Sequence, residues 1–374
     1  NALLSNKRQA ADVGLQRRHM YTKPFATASR PTSLGRSMPR SRERFAEAIA
    51  ELIGPALDRV ERIFDNELRS DLPSVDALVR HVGRFRGKML RPTLLLLTGR
   101  AVEPRGEVDE SLIELAAVVE MVHMSTLVHD DVLDEAELRR KGATINHLHG
   151  NEAAVLLGDY LISHSYHLCS GVEAPPELSA NWAARIIGRT TNQLCEGELL
   201  QVSHRGNLEL SEDTYYEIIR RKTGALTAAS CLLGARFAGA DDELGRAMQR
   251  YGELIGMAFQ VQDDVLDLLG DVREVGKSVG VDAEKQKLTL PLIHFLANAP
   301  EEHAELLRSL LVGDQLDRAE QVRQLVRPSD SVEFARDEAR RLTREAAACL
   351  EGLDDSPARD LLMAVCDFVV ARSA

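Results

Sequence analysis

The sequence predicts an all-α protein, a single large helical bundle over residues 43–374. Three observations carry that prediction. Seven stretches place apolar residues at i, i+3, i+4 and i+7, the spacing that lays one stripe along a helix. Convincing alternating strand segments are missing. No fixed-period repeat runs through the chain, which sets a solenoid aside and leaves a bundle as the natural architecture. With 374 residues, 44% of them hydrophobic, the chain is long enough for one large core.

In chain order, the helical stretches are RFAEAIAELIGPALDRVERIF, SLIELAAVVEMVHMSTLVHDDVLDEAEL, NEAAVLLGDYLISHSYHLCS, WAARIIGRTTNQLCEGELLQV, TYYEIIRRKTGALTAASCLLGARFAG, ELGRAMQRYGELIGMAFQVQDDVLDLL and FARDEARRLTREAAACLEGL. SEDTYYE marks a start, with Ser211 as N-cap, and EAPPELS reads as a turn. Residues 1–42 are set apart as a disordered or targeting-like extension, rich in Arg and Ser. Position 1 is Asn, which leaves Met20 and Met38 as alternative starts.

Charge divides the chain the same way. Residues 1–42 hold nine Lys/Arg against one acid, Asp12, a net of +8. The remaining 332 residues hold 37 basic and 57 acidic side chains, a net of −20. A body this acidic lacks the positive footprint that nucleic acid requires. The five cysteines (Cys169, Cys195, Cys231, Cys349, Cys366) form no CxxC pair and lie in apolar contexts, so we expect reduced, buried thiols and a cytoplasmic protein. A transit role for residues 1–42 would make it organellar instead. No apolar run approaches the ~18–20 residues of a membrane span, so none is expected.

One motif breaks the local rules. DDVLD occurs at 130–134 and again at 263–267, each time at the end of an apolar helical stretch. On a helix, i, i+1 and i+4 share one side, so Asp130, Asp131 and Asp134 point together, as do Asp263, Asp264 and Asp267. Such like charges repel, and a helix C-terminus disfavours anions. A divalent cation shared by the carboxylates would offset both costs, and Mg²⁺ takes oxygen ligands from carboxylates, water and phosphates. One DDxxD reads most simply as a solvated acidic helix end. Two copies point to facing halves of a site for two to three Mg²⁺ ions that holds a polyphosphate.

Cations accompany the acids. FRGKMLRP carries Arg86, Lys88 and Arg91, and ELRRKGAT carries Arg139 and Arg140. IIRRKTGAL carries Lys222 beside Thr223, and REVGKSVGVDAEKQKLTLP carries Lys277 and Lys287. The four lysines named are half of the eight in the chain. Arginine forks and lysine point charges are the two usual phosphate ligands. Taken singly, each cluster reads as an ordinary solvated helix end.

GKMLRP, EMVHMSTLVHDDVLDEAELRRKGAT, GDYLI, GELLQV, KTGAL, FQVQDDVLDLLG and GKSVGVDAEKQKLTLP, in that order from Arg84 to Pro291, resemble the trans-polyprenyl diphosphate synthase family. The last third of the chain resembles it only in being helical. The resemblance implies an isoprenoid synthase-like bundle around a deep central cavity. It also implies head-to-tail condensation of isopentenyl diphosphate with an allylic diphosphate. Asp130, Asp131 and Asp134, with Arg139, would bind the allylic diphosphate through Mg²⁺. Asp263, Asp264 and Asp267 would complete the metal site. Lys222, Gln260 and Lys277 would contact the allylic diphosphate or its departing pyrophosphate. Lys88, Arg91, His123 and Arg140 would form a metal-free site for isopentenyl diphosphate, and Thr223 would neighbour the carbocation. Two departures, Arg86 for the first Gly of Gly-Gly-Lys and Gln286 for the Gly of Gly-Lys, put fine substrate geometry in doubt.

The allylic tail would run from Asp130 toward the helix N-terminus. Thr126 and Ser125 lie about 6–7.5 Å down the axis. Short-chain members commonly carry a large aromatic residue there. Both residues here are small, so the resemblance implies a heptaprenyl to decaprenyl product, with Met121 and Val122, or Leu161 to Tyr166, as the floor. The alternative is that Ser125 and Thr126 are packing residues and another helix sets a shorter, geranylgeranyl or farnesyl, length. Three rivals remain: a terpene cyclase, a non-catalytic subunit of a heteromeric synthase, and an unrelated helical metal-binding protein. No Asn-Asp pair of the cyclase motif occurs here, and the motif charges are kept. The resemblance also implies a homodimer, with the apolar Leu112–Met124 stretch as the contact. A long product would draw the protein to a membrane surface. His147, His149, His164, His167 and Trp182 read as structural.

Overall fold

The computed structural model describes residues 38–85, 87–140, 142–270, 281–313, 315 and 317–371. The chain enters with α1 (Met38–Glu67) and α2 (Pro73–Gly83), then α3 (Leu90–Val102) and α4 (Glu110–Leu133). A small antiparallel hairpin follows, β1 (Leu138–Arg139) with β2 (Gly142–Ala143), pairing Leu138 with Ala143 and Arg139 with Gly142. Next come α5 (Ile145–Gly171), α6 (Trp182–Ser203), α7 (Glu212–Ile219), one wide π turn (Arg220–Gly224), α8 (Ala225–Phe237) and α9 (Asp242–Leu269). The chain closes with α10 (Val281–Glu284), α11 (Leu290–Asn298), α12 (Glu301–Val312), α13 (Arg318–Val326), α14 (Ser331–Ala348) and α15 (Pro357–Val370). The all-α architecture is as the apolar spacing predicts.

The centre of the bundle is α4. Leu112, Ile113, Leu115 to Val119, Met121, Val122 and Met124 are all buried, and each Leu, Ile, Val or Met among them contributes about 1.5–3 kcal/mol of transfer free energy. A helix apolar on every side must be surrounded, and α4 packs on α1, α3, α5 and α8. Beyond α8 lies α9, itself covered by α14. Polar caps set the starts. Asp109, Ser211, Asp241 and Ser356 each accept a backbone N–H of the first turn of α4, α7, α9 and α15, at about 1 kcal/mol apiece. Ser211 caps α7 as its sequence context predicts. Trp182 packs its ring on Phe237 at 6.2 Å.

Several expectations need correction. The DDVLDEAEL stretch does not stay helical. Asp134 caps α4 in the bridge conformation (φ −94°, ψ 0°) and Glu135 takes φ +49°, which turns the chain into the hairpin. The predicted single helix from Thr214 to Gly239 is three pieces, because the π turn interrupts it. A stretch long and apolar enough to cross a membrane does exist, in α4, but 78% of it is buried inside the bundle, as befits a core helix. For the same reason Leu112–Met124 cannot supply a dimer contact, since those side chains face their own fold. All five thiols are free, but only Cys169, Cys231 and Cys366 are buried. Cys195 is exposed and Cys349 partly so.

Candidate active site

The first acid cluster ends α4. Asp131, 4% exposed, is held by the fork of Arg139 on β1. Nε lies 2.9 Å from both carboxylate oxygens and Nη2 lies 2.6 Å from Oδ1. Asp130 faces Lys222, whose Nζ is 4.0 Å away. Asp134 accepts from Lys287 Nζ at 2.9 Å and lies 3.4 Å from Lys285 Nζ. The three carboxylates therefore meet different cationic partners: Arg139, Lys222, and the pair Lys285 and Lys287.

The second cluster ends α9. Asp264 is buried, and Tyr215 Oη donates to its Oδ2 at 2.7 Å. Gln260 Nε2 donates to Oδ1 at 2.8 Å, and Gln260 Oε1 accepts from Thr223 Oγ1 at 2.9 Å. Asp267 Oδ2 accepts the backbone N–H of Asp282 at 3.2 Å. Asp263 is half-buried on the same last turns.

Between the clusters stands the π turn, which presents Lys222 and Thr223. Wide turns of this type often sit at functional sites because they re-aim side chains without ending the helix. Gly197 of α6 makes room for it, since a Cβ there would stand 2.6 Å from the backbone nitrogen of Lys222. Lys222 Nζ donates to Gln201 Oε1 at 2.8 Å and pairs with Glu198, both on α6. One cleft of about 120 Å³ collects Gln201, Tyr215, Lys222, Thr223, Gln260, Asp264, Asp282 and Lys287.

Electrostatics follow from burial and these partners. Burial pushes Asp130 up to about 6, against the pull of Lys222 and with the push of Glu198. Burial also drives Asp264 well above the carboxylate range, and neighbouring Asp282 adds to it, while Tyr215 and Gln260 draw it back. Asp134 is the opposite case. Burial raises it, but Lys287 and Lys285 outweigh burial and hold it below the usual range. Burial works against the charge on Lys222, yet Asp130 and Glu198 overcome it and lift the ammonium. Among the described residues, no three acidic, His or Cys side chains are already gathered into a metal cage. The donor chemistry still fits an oxygen-seeking divalent ion, because buried Asp264 and half-buried Asp282 present carboxylates to the cleft, and Lys222, which also lines it, stands 4.0 Å from half-buried Asp130.

A second cationic group lies at the entrance of α3 and the middle of α4. Lys88 is exposed and Arg91 half-buried, with no hydrogen-bond partner for the buried Arg91 Nε among the described residues. Arg140 Nη1 donates to the Phe85 carbonyl, and Arg140 itself takes φ +48°. Its guanidinium passes so close to Gly87 that a Cβ there would collide with it. Buried Glu120 is the acid that this group shares. Burial, then Arg91, Arg140 and Arg139, hold His123 well below its ordinary value, so its ring is neutral at pH 7. Arg86 lies outside the described residues.

The residues expected to set tail length line the α4–α5 side. Ser125 Oγ donates to the Gly158 carbonyl of α5 at 2.9 Å, and Thr126 Oγ1 donates back to the His123 carbonyl at 2.8 Å. Met121 is fully buried in a side cluster with Phe64, Leu157 and Leu161, while Val122 belongs to the main core. Lys277 lies outside the described residues. Glu198, Gln201, Tyr215, Asp282 and Glu120 carry much of this geometry and have no role in the sequence reading. Four of them sit in or beside quoted motifs (GELLQV, EMVH, GVDAEK), which was the available signal.

Comparison with known proteins adds independent support. A family model described as polyprenyl synthetase matches residues 73–328. Nonaprenyl diphosphate synthase of Mycobacterium tuberculosis is 35% identical over 328 residues, 86% of this chain and 94% of that protein. Heptaprenyl diphosphate synthase component 2 of Bacillus subtilis is 34% identical over 318 residues, 84% of this chain and 88% of that one. A geranylgeranyl pyrophosphate synthase of Geoglobus acetivorans is 32% identical over 328 residues, 87% and 99% of the two chains. Among solved structures, the polyprenyl synthase of Caulobacter crescentus, complexed with calcium and isoprenyl diphosphate, superposes with a TM-score of 0.79 at 31% identity, over 88% of this chain and 98% of that one.

Proposed function

The chain belongs to the polyprenyl synthetase family and is a prenyltransferase, and from that premise we propose its reaction in detail. It joins isopentenyl diphosphate head-to-tail to an allylic diphosphate with Mg²⁺ and yields an all-trans heptaprenyl to decaprenyl diphosphate. The observation that supports this most is the bridging of the two acid clusters. Lys222 reaches Asp130 while its neighbour Thr223 donates to Gln260, which in turn donates to Asp264.

In this reading Asp130, Asp131, Asp134, Asp263, Asp264 and Asp267 hold two to three Mg²⁺ ions, the family being one that uses a divalent metal. When bound, the metal neutralises the diphosphate oxygens and favours departure of pyrophosphate. Lys222, Gln260 and Lys277 bind the same leaving group, and Arg139 orients Asp131. These preset charges act where negative charge develops as the allylic C–O bond breaks. Thr223 lies beside the delocalised cation that forms. Lys88, Arg91, His123 and Arg140 grip the isopentenyl diphosphate, and neutral His123 serves as a hydrogen-bond donor rather than a fourth charge. The double bond of that substrate attacks the cation, and the departing pyrophosphate takes the proton. The apolar α4 beneath keeps water from the cation.

A homodimer is part of this proposal. With α4 enclosed, the exposed apolar side chains of the described residues include Leu148, Val155 and Leu156 on α5 and Leu199 and Val202 on α6. Sedimentation of the Leu156→Glu/Leu199→Glu protein checks it: a shift from dimer to monomer is expected. The Bacillus relative bears the name component 2, so an inactive lone chain that gains activity with a second protein would point to a heteromer.

The deciding experiment is a product assay with labelled isopentenyl diphosphate, Mg²⁺ and, separately, dimethylallyl, geranyl, farnesyl and geranylgeranyl primers. A ladder ending at seven to ten isoprene units is expected. A stop at four units keeps the chemistry and removes the long-chain assignment. No elongation from any primer removes the synthase reading for the lone chain.

A further inference from the structure

The C-terminal third has no assigned part in the site, yet two of its arginines reach the backbone on which the site is built. Arg323 Nη1 of α13 donates to the carbonyl of Gly270 at 3.1 Å. Gly270 caps α9 one turn beyond Asp267, its own N–H bonded to the Leu266 carbonyl at 2.8 Å. Arg318, at the start of the same helix, sends Nη1 to the carbonyl of Glu284 at 3.2 Å and Nη2 to that of Gly313. Glu284 ends α10, the first turn of a short strap over residues 281–289.

That strap touches both acid clusters. The N–H of Asp282 donates to Asp267 of the second cluster, and Lys287 Nζ donates to Asp134 of the first. Lys285 flanks Asp134 as well. The Lys287 N–H returns to the Asp282 carbonyl at 2.9 Å, so the strap is closed on itself. At Gln286 the backbone takes φ +54°, and its carbonyl accepts the Gly206 N–H at 3.1 Å. Leu288 and Thr289 are buried at the far end of the strap, and Arg318 reaches it from the side of α13.

Helix α13 is well placed to act as a fixed support. Val322 and Val326 are fully buried, and Arg318, four residues before Val322, is itself only 9% exposed. The three lie at i, i+4 and i+8, one face of the helix. A buried arginine that donates to main-chain carbonyls fixes position more firmly than an exposed ion pair does, because its guanidinium is planar and its donors are set in a fork.

We propose that Arg318 and Arg323 are positioning residues for the diphosphate–metal half of the site. They hold the end of α9 and the strap at one separation, and so set how Asp267, Asp282 and Lys287 stand toward Asp134. Neither touches substrate. The inference rests on the function proposed above, because it takes the acid clusters to be the diphosphate site.

The test uses the full-length protein and two readouts. The first is the rise in thermal midpoint on adding Mg²⁺ with inorganic pyrophosphate, which reports binding without turnover. The second is steady-state kinetics, separating KM for isopentenyl diphosphate from Mg²⁺ dependence. Arg318→Met, Arg318→Lys and Arg323→Met are compared with Arg308→Ala, whose side chain pairs with Glu301 on the exposed face of α12. Arg318→Met and Arg323→Met are expected to weaken Mg²⁺–pyrophosphate binding by about tenfold or more, the usual effect of losing an outer support of a metal site. KM for isopentenyl diphosphate stays near the parent value, and Arg308→Ala changes neither readout. Arg318→Lys keeps the charge without the fork and guards against loss of folding; it should show the same split in milder form. Equal pyrophosphate-induced shifts in parent and variants, or losses equal at both substrates, overturn the positioning role. A parent protein that shows no shift and no activity overturns the function reading itself, and this inference with it.

Discussion

Tyr215 and Asp264 form a buried hydrogen bond of 2.7 Å across the gap between α7 and α9. The phenol donates to one carboxylate oxygen, and the Gln260 amide donates to the other. The acid is thus aimed by two fixed donors from different parts of the chain. Tyr215→Phe removes one of them without changing the ring. The expected outcome is a rise of about 10–100-fold in the Mg²⁺ concentration needed for half-maximal activity, with a folding cost of about 1–3 kcal/mol. A Mg²⁺ titration of activity, beside a denaturant melt, checks both. An unchanged Mg²⁺ requirement would mean that Asp264 needs no such support.

Lys222 is the only cation that meets both Asp130 and Glu198 among the ion pairs of the described residues. Lys222→Met leaves two acids together, half-buried and without that charge, and removes a positive group from the leaving pyrophosphate. Loss of one preset electrostatic contact of this kind costs about 10²–10³ in turnover. The expected loss is therefore in kcat. Gln201→Leu removes only the 2.8 Å contact that holds the amine, and a smaller loss is expected. Steady-state assays of the two variants decide the order, and equal losses would make Gln201 more than a support.

His123 gives a pH signature. Burial and the nearby Arg91, Arg140 and Arg139 depress its folded value well below the ordinary 6.5. Above about pH 6.5 neither folded nor unfolded chain binds this proton, and the group's full stability is present. As pH falls through that value, the unfolded chain takes the proton and the native state does not. The native state then loses up to about 1.4 kcal/mol per pH unit. His123→Gln should lose less stability than the parent between about pH 6.5 and about pH 5, and match its trend at higher pH. Taking the difference between the two proteins removes the opposite effect of the raised acids Asp130 and Asp264. Parallel curves throughout would show that His123 titrates freely.

What the sequence discloses and what it hides follow one physical rule. The doubled DDVLD is legible because three like charges at the end of an apolar helix violate local preference, and a violation repeated at 130–134 and 263–267 asks for a shared cause. The apolar spacing of α4 and α9 is local too, so those helices are visible. Tyr215 is not, since a tyrosine after a capping serine looks like part of a helix start until α9 is brought beside it. Glu198 and Gln201 gain meaning only when the π turn swings Lys222 onto α6. That turn is hidden because one extra residue in a helical repeat barely disturbs the apolar periodicity. Leu112–Met124 misled in the other direction. Its surface is apolar on all sides, which fits a protein interface and a central core equally well, and only the packed neighbours distinguish the two.

Ser125 tests the product-length proposal directly. Its hydroxyl donates to the Gly158 carbonyl of α5, so the side chain marks a direct contact between α4 and α5. Phenylalanine at this position cannot keep that bond and must send its ring along the face that descends from Asp130. If the growing tail follows that face, the ring stops it about one and a half helical turns below the acids, and the product shortens toward geranylgeranyl length. Overpacking between two helices also costs about 1–3 kcal/mol, so the Ser125→Phe protein should melt earlier. Ser125→Ala separates the two effects. It loses one hydrogen bond, about 1 kcal/mol, adds no volume, and should leave product length as in the parent. Chromatographic sizing of the products of all three proteins gives the answer. A folded Ser125→Phe enzyme with the parent's product length would move the tail away from α4–α5 and make Ser125 a packing residue alone.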